Sequence, residues 1–258
     1  MRVYDSGEIA AYIGAAAWLP QLINVFYKYI TKPKLRVFFN NTAEISYTSL
    51  GPILNIRMGV LAEKKSLLLE DISLEIRHSD GDLHFLKWAG ITEIHSEIID
   101  QNGNKQVISK EQPPIALKLF QDLLTEKFIK FQEPKYHEQD SILINELNSH
   151  VSFLASRDTT DVVAEALKSS QLHNVLTYRE NYFWWKKGKY IVKLKAKSPD
   201  KFSFEGNTFS FTLNQTEIDL LKFNSKSLSE FLNAHIEKKE EIANIKWNWI
   251  NPKITKGE

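Results

Sequence analysis

The stretch Ile72-Ser-Leu-Glu-Ile-Arg-His-Ser-Asp-Gly-Asp-Leu-His-Phe85 decides how this chain is read. Apolar and polar residues alternate on both sides of Asp80-Gly81, which is the period of half-buried strands. Asp-Gly suits a two-residue type I′ turn, where both central residues need positive φ. Pairing Ser79 with Asp82 sets His78 opposite Leu83, Ile76 opposite Phe85 and Leu74 opposite Lys87. Ile72, Leu74, Ile76, Leu83 and Phe85 then share one face, and Glu75, Arg77 and His84 lie on the other.

Working outward, the same grammar repeats. Asn102-Gly103 predicts a second hairpin joining 94–100 to 105–109, and Gly206-Asn207 a third joining 202–205 to 208–213. Short β-rich runs occupy 35–39 and 44–48. Leu54, Ile56, Met58 and Val60 alternate with polar or small residues, and 126–132 alternates again. Strand character also marks 182–185 and 189–197. Helical spacing of Ile144, Leu147, Val151 and Leu154 predicts a helix over 141–155. Asp158-Thr-Thr-Asp161 reads as a cap before a short helix over 162–169. Asn214-x-x-Glu217 and Ser227-x-x-Glu230 resemble capping boxes, the second opening a stripe of Phe231, Leu232, His235 and Ile236. Residues 245–250 form a last strand or an extended tail. These elements predict a mainly β fold, a β-sandwich of immunoglobulin-like form, with helical insertions (about 140–172) and a helical C-terminal region. The Cys…Trp…Cys hallmark of immunoglobulin domains is absent.

Ahead of this domain, the nineteen residues 9–27 carry no formal charge, and Lys28, Lys32, Lys34 and Arg36 follow. As a helix the run is roughly 28 Å long, close to the hydrocarbon thickness of a bilayer. Ala10, Gly14, Ala17, Gln21, Asn24 and Lys28 fall on one stripe. A spanning helix packs such a stripe on a partner helix or a second copy of itself. An interfacial helix turns it to water, and a soluble protein buries the apolar side instead. Pro20 predicts a kink. The expected organisation is a membrane anchor over 1–31 and a domain over 32–258. Basic residues on the C-terminal flank place that domain on the cytoplasmic side of the inner membrane, spanned once. The chain has no cysteine, in keeping with a reducing compartment.

Chemistry is harder to find. A net charge of +1 gives no global pull toward nucleic acid. The seven histidines show no ligand spacing, and the hairpin register sends His78 and His84 to opposite faces. There is no nucleophile elbow, no Walker A and no dinucleotide fingerprint. No catalytic, cofactor or metal residue is assigned, and an enzyme, such as a hydrolase, is the third reading. The strongest surface feature is a lysine stripe. Lys186, Lys187 and Lys189 lead into a strand where Lys193, Lys195 and Lys197 point one way and Tyr190, Val192, Leu194 and Ala196 the other. Lysines that protect an edge strand are the plain reading. Contact with anionic lipid, a protein partner or, less favoured, nucleic acid stacked on Trp184 and Trp185 are the functional ones. Trp247 and Trp249, alternating with Asn248, are expected to pack on the core. The sequence thus points to a membrane-anchored cytoplasmic interaction or sensing module, with a nucleic-acid-binding effector as the alternative.

Overall fold

The computed structural model describes residues 16–23, 25–26, 30–99, 105–157, 161–237 and 245–257. The strands are β1 (Lys34–Thr48), β2 (Gly51–Glu63), β3 (Leu67–Leu69), β4 (Asp71–His78), β5 (Leu83–Ile99), β6 (Lys105–Gln112), β7 (Leu117–Leu119) and β8 (Leu124–Gln132). Helices α1 (Pro134–Ser156), α2 (Val162–Leu167) and α3 (Ser170–Asn181) come next, followed by β9 (Gly188–Lys197), β10 (Ser203–Glu205) and β11 (Thr208–Leu213). Helix α4 (Gln215–Ile236) and the short β12 (Trp249–Ile250) and β13 (Thr255–Lys256) complete the chain.

The fold is mainly β, with helices in its C-terminal part. Eleven strands form one hydrogen-bonded sheet in the order β10-β1-β2-β8-β5-β4-β9-β11-β13, with β12 on β1 and β6 on β5. This sheet is curled, β3 and β7 form a separate two-stranded sheet, and the facing sheets of an immunoglobulin-like sandwich are not found among the described residues. Strands β10 and β11 lie far apart along that path, yet only Gly206 and Asn207 separate them in the chain. The third expected hairpin is therefore a crossing instead. β10 pairs with β1 in parallel, β11 pairs with β9, and the sheet must curl until its ends meet. Bulges at Phe39/Ala43 and Trp88/Gly90 assist the bend. Phe39 and Phe209, from the two ends, touch at 4.6 Å between ring centres.

The central hairpin is slipped by one residue from the sequence expectation. Ile76 pairs with His84 and Leu74 with Leu86. Only Gly81 takes positive φ (104°), so the turn is a three-residue loop rather than type I′. The Asp80 carboxylate accepts the Asp82 N–H at 3.0 Å and helps hold this loop. Every side chain of the second strand changes face as a result. Leu83 and Phe85 are exposed, while Leu86 and Trp88 enter the core. His84 joins His78 on the inner face.

The first helix begins earlier than periodicity suggested. Helix α1 starts at Pro134, whose fixed φ and missing N–H suit the first turn. Its buried stripe is Tyr136, Asp140, Leu147 and Leu154, and the acid and the phenol hid its start. The Asp161 cap and the Asn214–Glu217 capping box form as expected. Ser227 caps nothing: it lies inside α4 and donates to the Lys246 carbonyl at 2.9 Å. Residues 182–185 form no strand, and α3 was not foreseen.

A second small core of Leu147, Leu172, Val175 and Leu232 joins the helices. Arg179 locks this layer to the sheet. It makes a bidentate pair with Asp140 (2.7 and 2.9 Å), both residues being buried. The Tyr47 hydroxyl of β1 donates to the Arg179 carbonyl.

Two predictions test this architecture. At Gly206 φ is +67°, and an added Cβ would lie 2.6 Å from the Val37 carbonyl oxygen. Gly206→Ala is expected to destabilise by about 2 kcal/mol in denaturant unfolding, from strain and steric clash. Arg179→Met strands the buried Asp140 carboxylate and should cost about 3–5 kcal/mol. Adding Asp140→Leu should recover much of that loss.

Candidate functional site: a tryptophan-walled groove

The β9 pattern holds: Lys189, Lys193, Lys195 and Lys197 face out, and Tyr190, Val192 and Leu194 are buried. The edge-protection reading fails, because β9 pairs with β4 on one side and β11 on the other. Nor is the stripe a bare cationic surface. Its neighbours on β4 are Asp71, Ser73 and Glu75, and Glu75 pairs directly with Lys195. That pairing depresses the Glu75 pKa, with the Lys195 hydrogen bond as the main cause. Lys186 is tied to Asp80 and Asp82 at the hairpin turn. Lys187 is exposed, and its backbone carbonyl lies 3.2 Å from His78 Nε2.

The tryptophans upstream are not stacking platforms. Trp185 is buried, and Trp184 lies flat on His84 with ring centres 3.9 Å apart. Trp184 also donates its indole N–H to Glu133 at 2.9 Å. Burial pushes the Glu133 carboxyl up, the hydrogen bond from Trp184 acting against it. The nucleic-acid reading therefore loses its aromatic surface. His78 and His84 share a face, contrary to the sequence-derived register, but the ring nitrogens of His78 already face Asp80 (2.8 Å) and the Lys187 carbonyl (3.2 Å). Among the described residues no group of three or more metal-ligating side chains forms.

The site that the sequence missed lies on the outer face of β1, β2 and β8. Glu44, Asn55 and Lys130 stand in one row across the three strands. With Phe128, Trp247 and Trp249 they line an open groove of about 510 Å³. The tryptophans owe their place to Asn224 of α4. Its side chain accepts the Asn248 N–H (2.8 Å) and donates to the Asn248 carbonyl (3.0 Å). Asn248 is thereby pinned inward, where Ser46 also donates to its carbonyl at 2.8 Å. Its two neighbours then differ in surroundings. Trp249 is 43 % exposed rather than packed in the core, whereas Trp247 packs as expected against the small core of Tyr47, Tyr136 and Leu228 and leans on Phe231. Lys130 is held by Glu111 at 2.6 Å. Asn55 is 97 % buried, and its Oδ1 has no hydrogen-bond partner. Aromatic walls with amide, carboxylate and ammonium groups suit a ligand that has both an apolar face and hydrogen-bonding groups. The only sequence signal for it was the Trp-Asn-Trp alternation.

The N-terminal residues bear on the site differently. Residues 16–23, 25, 26 and 30 are helical and exposed, so the buried-helix reading does not hold for them. Ala17 and Gln21 belong to this stretch, with Lys32 exposed and Lys34 half-buried beyond it. Gly14, Asn24 and Lys28 lie outside the described residues. Among the described residues no helix is long and apolar enough to cross a membrane. Lys34 is not free: it pairs with Glu205 (2.9 Å) and Glu63 (3.6 Å).

Burial holds His84 and His137 below the usual imidazole range. A base with a depressed folded pKa binds fewer protons folded than unfolded. Its stabilising contribution is thus complete above the unfolded value of about 6.5, and it is lost as pH falls through the folded one. Melting temperature should drop from about pH 7 to about pH 5, and His84→Gln should remove part of that drop.

No protein-family model, no curated protein and no solved structure matches this chain.

Proposed function

We propose that this chain is a membrane-anchored interaction or sensing module. A single N-terminal helix over 9–30 holds the curled β domain at the inner face of the cytoplasmic membrane, and the groove on β1, β2 and β8 receives its ligand or partner. One observation carries the reading. The described part of the helix leaves Trp18, Leu19, Leu22, Ile23, Val25, Phe26 and Ile30 between 51 and 75 % exposed. Each large apolar side chain left in water forgoes about 1.5–3 kcal/mol of burial, so such a helix calls for an apolar environment outside the domain. The charge-free run and the basic residues behind it fit a bilayer. The stripe of Gly14, Ala17, Gln21 and Asn24 is the surface for a partner helix or a second copy.

Binding rather than catalysis is favoured by the state of the reactive groups. Lys130 and Glu111 neutralise each other in the groove, His78 is engaged by Asp80 and the Lys187 carbonyl, and His84 is covered by Trp184. The groove is also remote from the helix. From Asn55 to Glu63, where β2 ends beside Lys34, the strand runs roughly 26 Å. A ligand would reach the groove from the aqueous phase.

Carbonate-washed membranes test the anchor. Full-length protein is expected to stay in the pellet until detergent is added, and Leu19→Glu with Leu22→Glu should release it. Release of the unmodified chain by carbonate would sink the spanning reading. Crosslinking in membranes tests the stripe: Gln21→Leu plus Asn24→Leu should abolish a dimer or partner adduct. An unchanged adduct would show that the stripe is not an interface.

A further inference from the structure

We infer that the end of the sheet from which the helix departs is itself a lipid-contact surface, through the loop between β7 and β8. This rests on the anchored reading above and adds a second point of attachment. Phe120, Leu123 and Leu124 are 60, 53 and 54 % exposed within five residues of chain. Surface loops are ordinarily polar at their tips, so three large apolar side chains together need an account. The patch extends sideways. Leu124 covers Gly59, where an added Cβ would lie 3.1 Å from Leu124 Cδ1 and 3.8 Å from Phe38 Cβ. Phe38 is 38 % exposed beside it.

The loop is held in place rather than loose. The Asp122 N–H donates to the Ala62 carbonyl at 2.8 Å, and the Gln121 N–H donates to Ser66 Oγ at 3.1 Å. Asp122 takes positive φ (56°), which turns the chain sharply between the two apolar stretches. Pairing fixes where this happens. Ala62 lies opposite Leu35 and Glu63 opposite Lys34, so the loop sits at the start of β1. Only residues 31–33 separate helical residue 30 from β1 at Lys34, a span of at most about 14 Å. A bilayer that holds the helix therefore lies against this end of the sheet. Lys32, Lys64 and Lys118 are exposed around it, which suits anionic headgroups. Of the nearby acids, Glu63 is paired with Arg36 (2.9 Å) and Glu205 with Lys34 (2.9 Å). The exposed Asp122 carboxylate in the loop accepts from the Gln121 amide (2.9 Å) and is outnumbered by these lysines.

The absence of cysteine makes a clean test possible. Single variants Leu123→Cys, Leu22→Cys and Ser79→Cys each carry one environment-sensitive dye. Ser79 is at the central hairpin turn, at the opposite end of β4 from Asp71. The full chain is reconstituted in vesicles of phosphatidylcholine and phosphatidylglycerol, with or without nitroxide-bearing lipid. The dyes on Leu22→Cys and Leu123→Cys should shift to the blue and lose about half their emission to the nitroxide, while that on Ser79→Cys stays unquenched. Quenching at position 22 without quenching at 123 overturns this inference and leaves the anchor standing. Quenching at neither position overturns both.

Discussion

Everything in this molecule depends on the two residues, Gly206 and Asn207, that carry the chain from one end of the sheet to the other. Strand β10 pairs with β1 and β11 with β9, so the strands between them must bend through a nearly closed turn. The bulges in β1 and β5, the long strands and the inward aromatic residues serve that closure. Gly206 is required because the crossing passes against the Val37 backbone in a left-handed conformation. Once the sheet is curled, one face becomes a core and the other a set of distinct outer surfaces.

The helical layer attaches to this body by polar contacts as well as by packing. Tyr47 reaches from β1 to the Arg179 backbone, and Arg179 in turn holds Asp140. Burying two charges is costly, and the pair stabilises mainly in the sense that neither member can be left alone. It does define where α1 and α3 sit. In the same helical layer, Asn224 of α4 clamps the C-terminal tail through Asn248. That clamp shapes the groove, since it decides which way Trp247 and Trp249 turn.

The outer surfaces divide by position. The start of β1 gathers apolar side chains that find no place in the core, next to the departing helix. The far parts of β1, β2 and β8 carry the groove, with its aromatic wall and its polar floor. The lysine face of β9 lies on another flank, where the acids of β4 offset it. The proposed module, tethered at one end with its groove held away from the bilayer, would use these strands in that way.

Local rules determined much of this from sequence alone. Alternation placed the strands and the outward lysines of β9, cap chemistry placed the starts of α2 and α4, and the charge-free run marked an N-terminal segment unlike the rest. These features depend on neighbours within a few residues. The register of the central hairpin, the crossing at Gly206, the Arg179–Asp140 pair and the groove did not follow. Asp80-Gly81 is compatible with two loop lengths, and burying Leu86 and Trp88 in place of Leu83 and Phe85 selects one. A Gly-Asn turn reads alike whether its strands pair with each other or with opposite ends of a sheet. Asp140 looks like a surface acid until Arg179, distant in sequence, arrives beside it. Only tertiary structure settles such choices, because each turns on which faces are buried together.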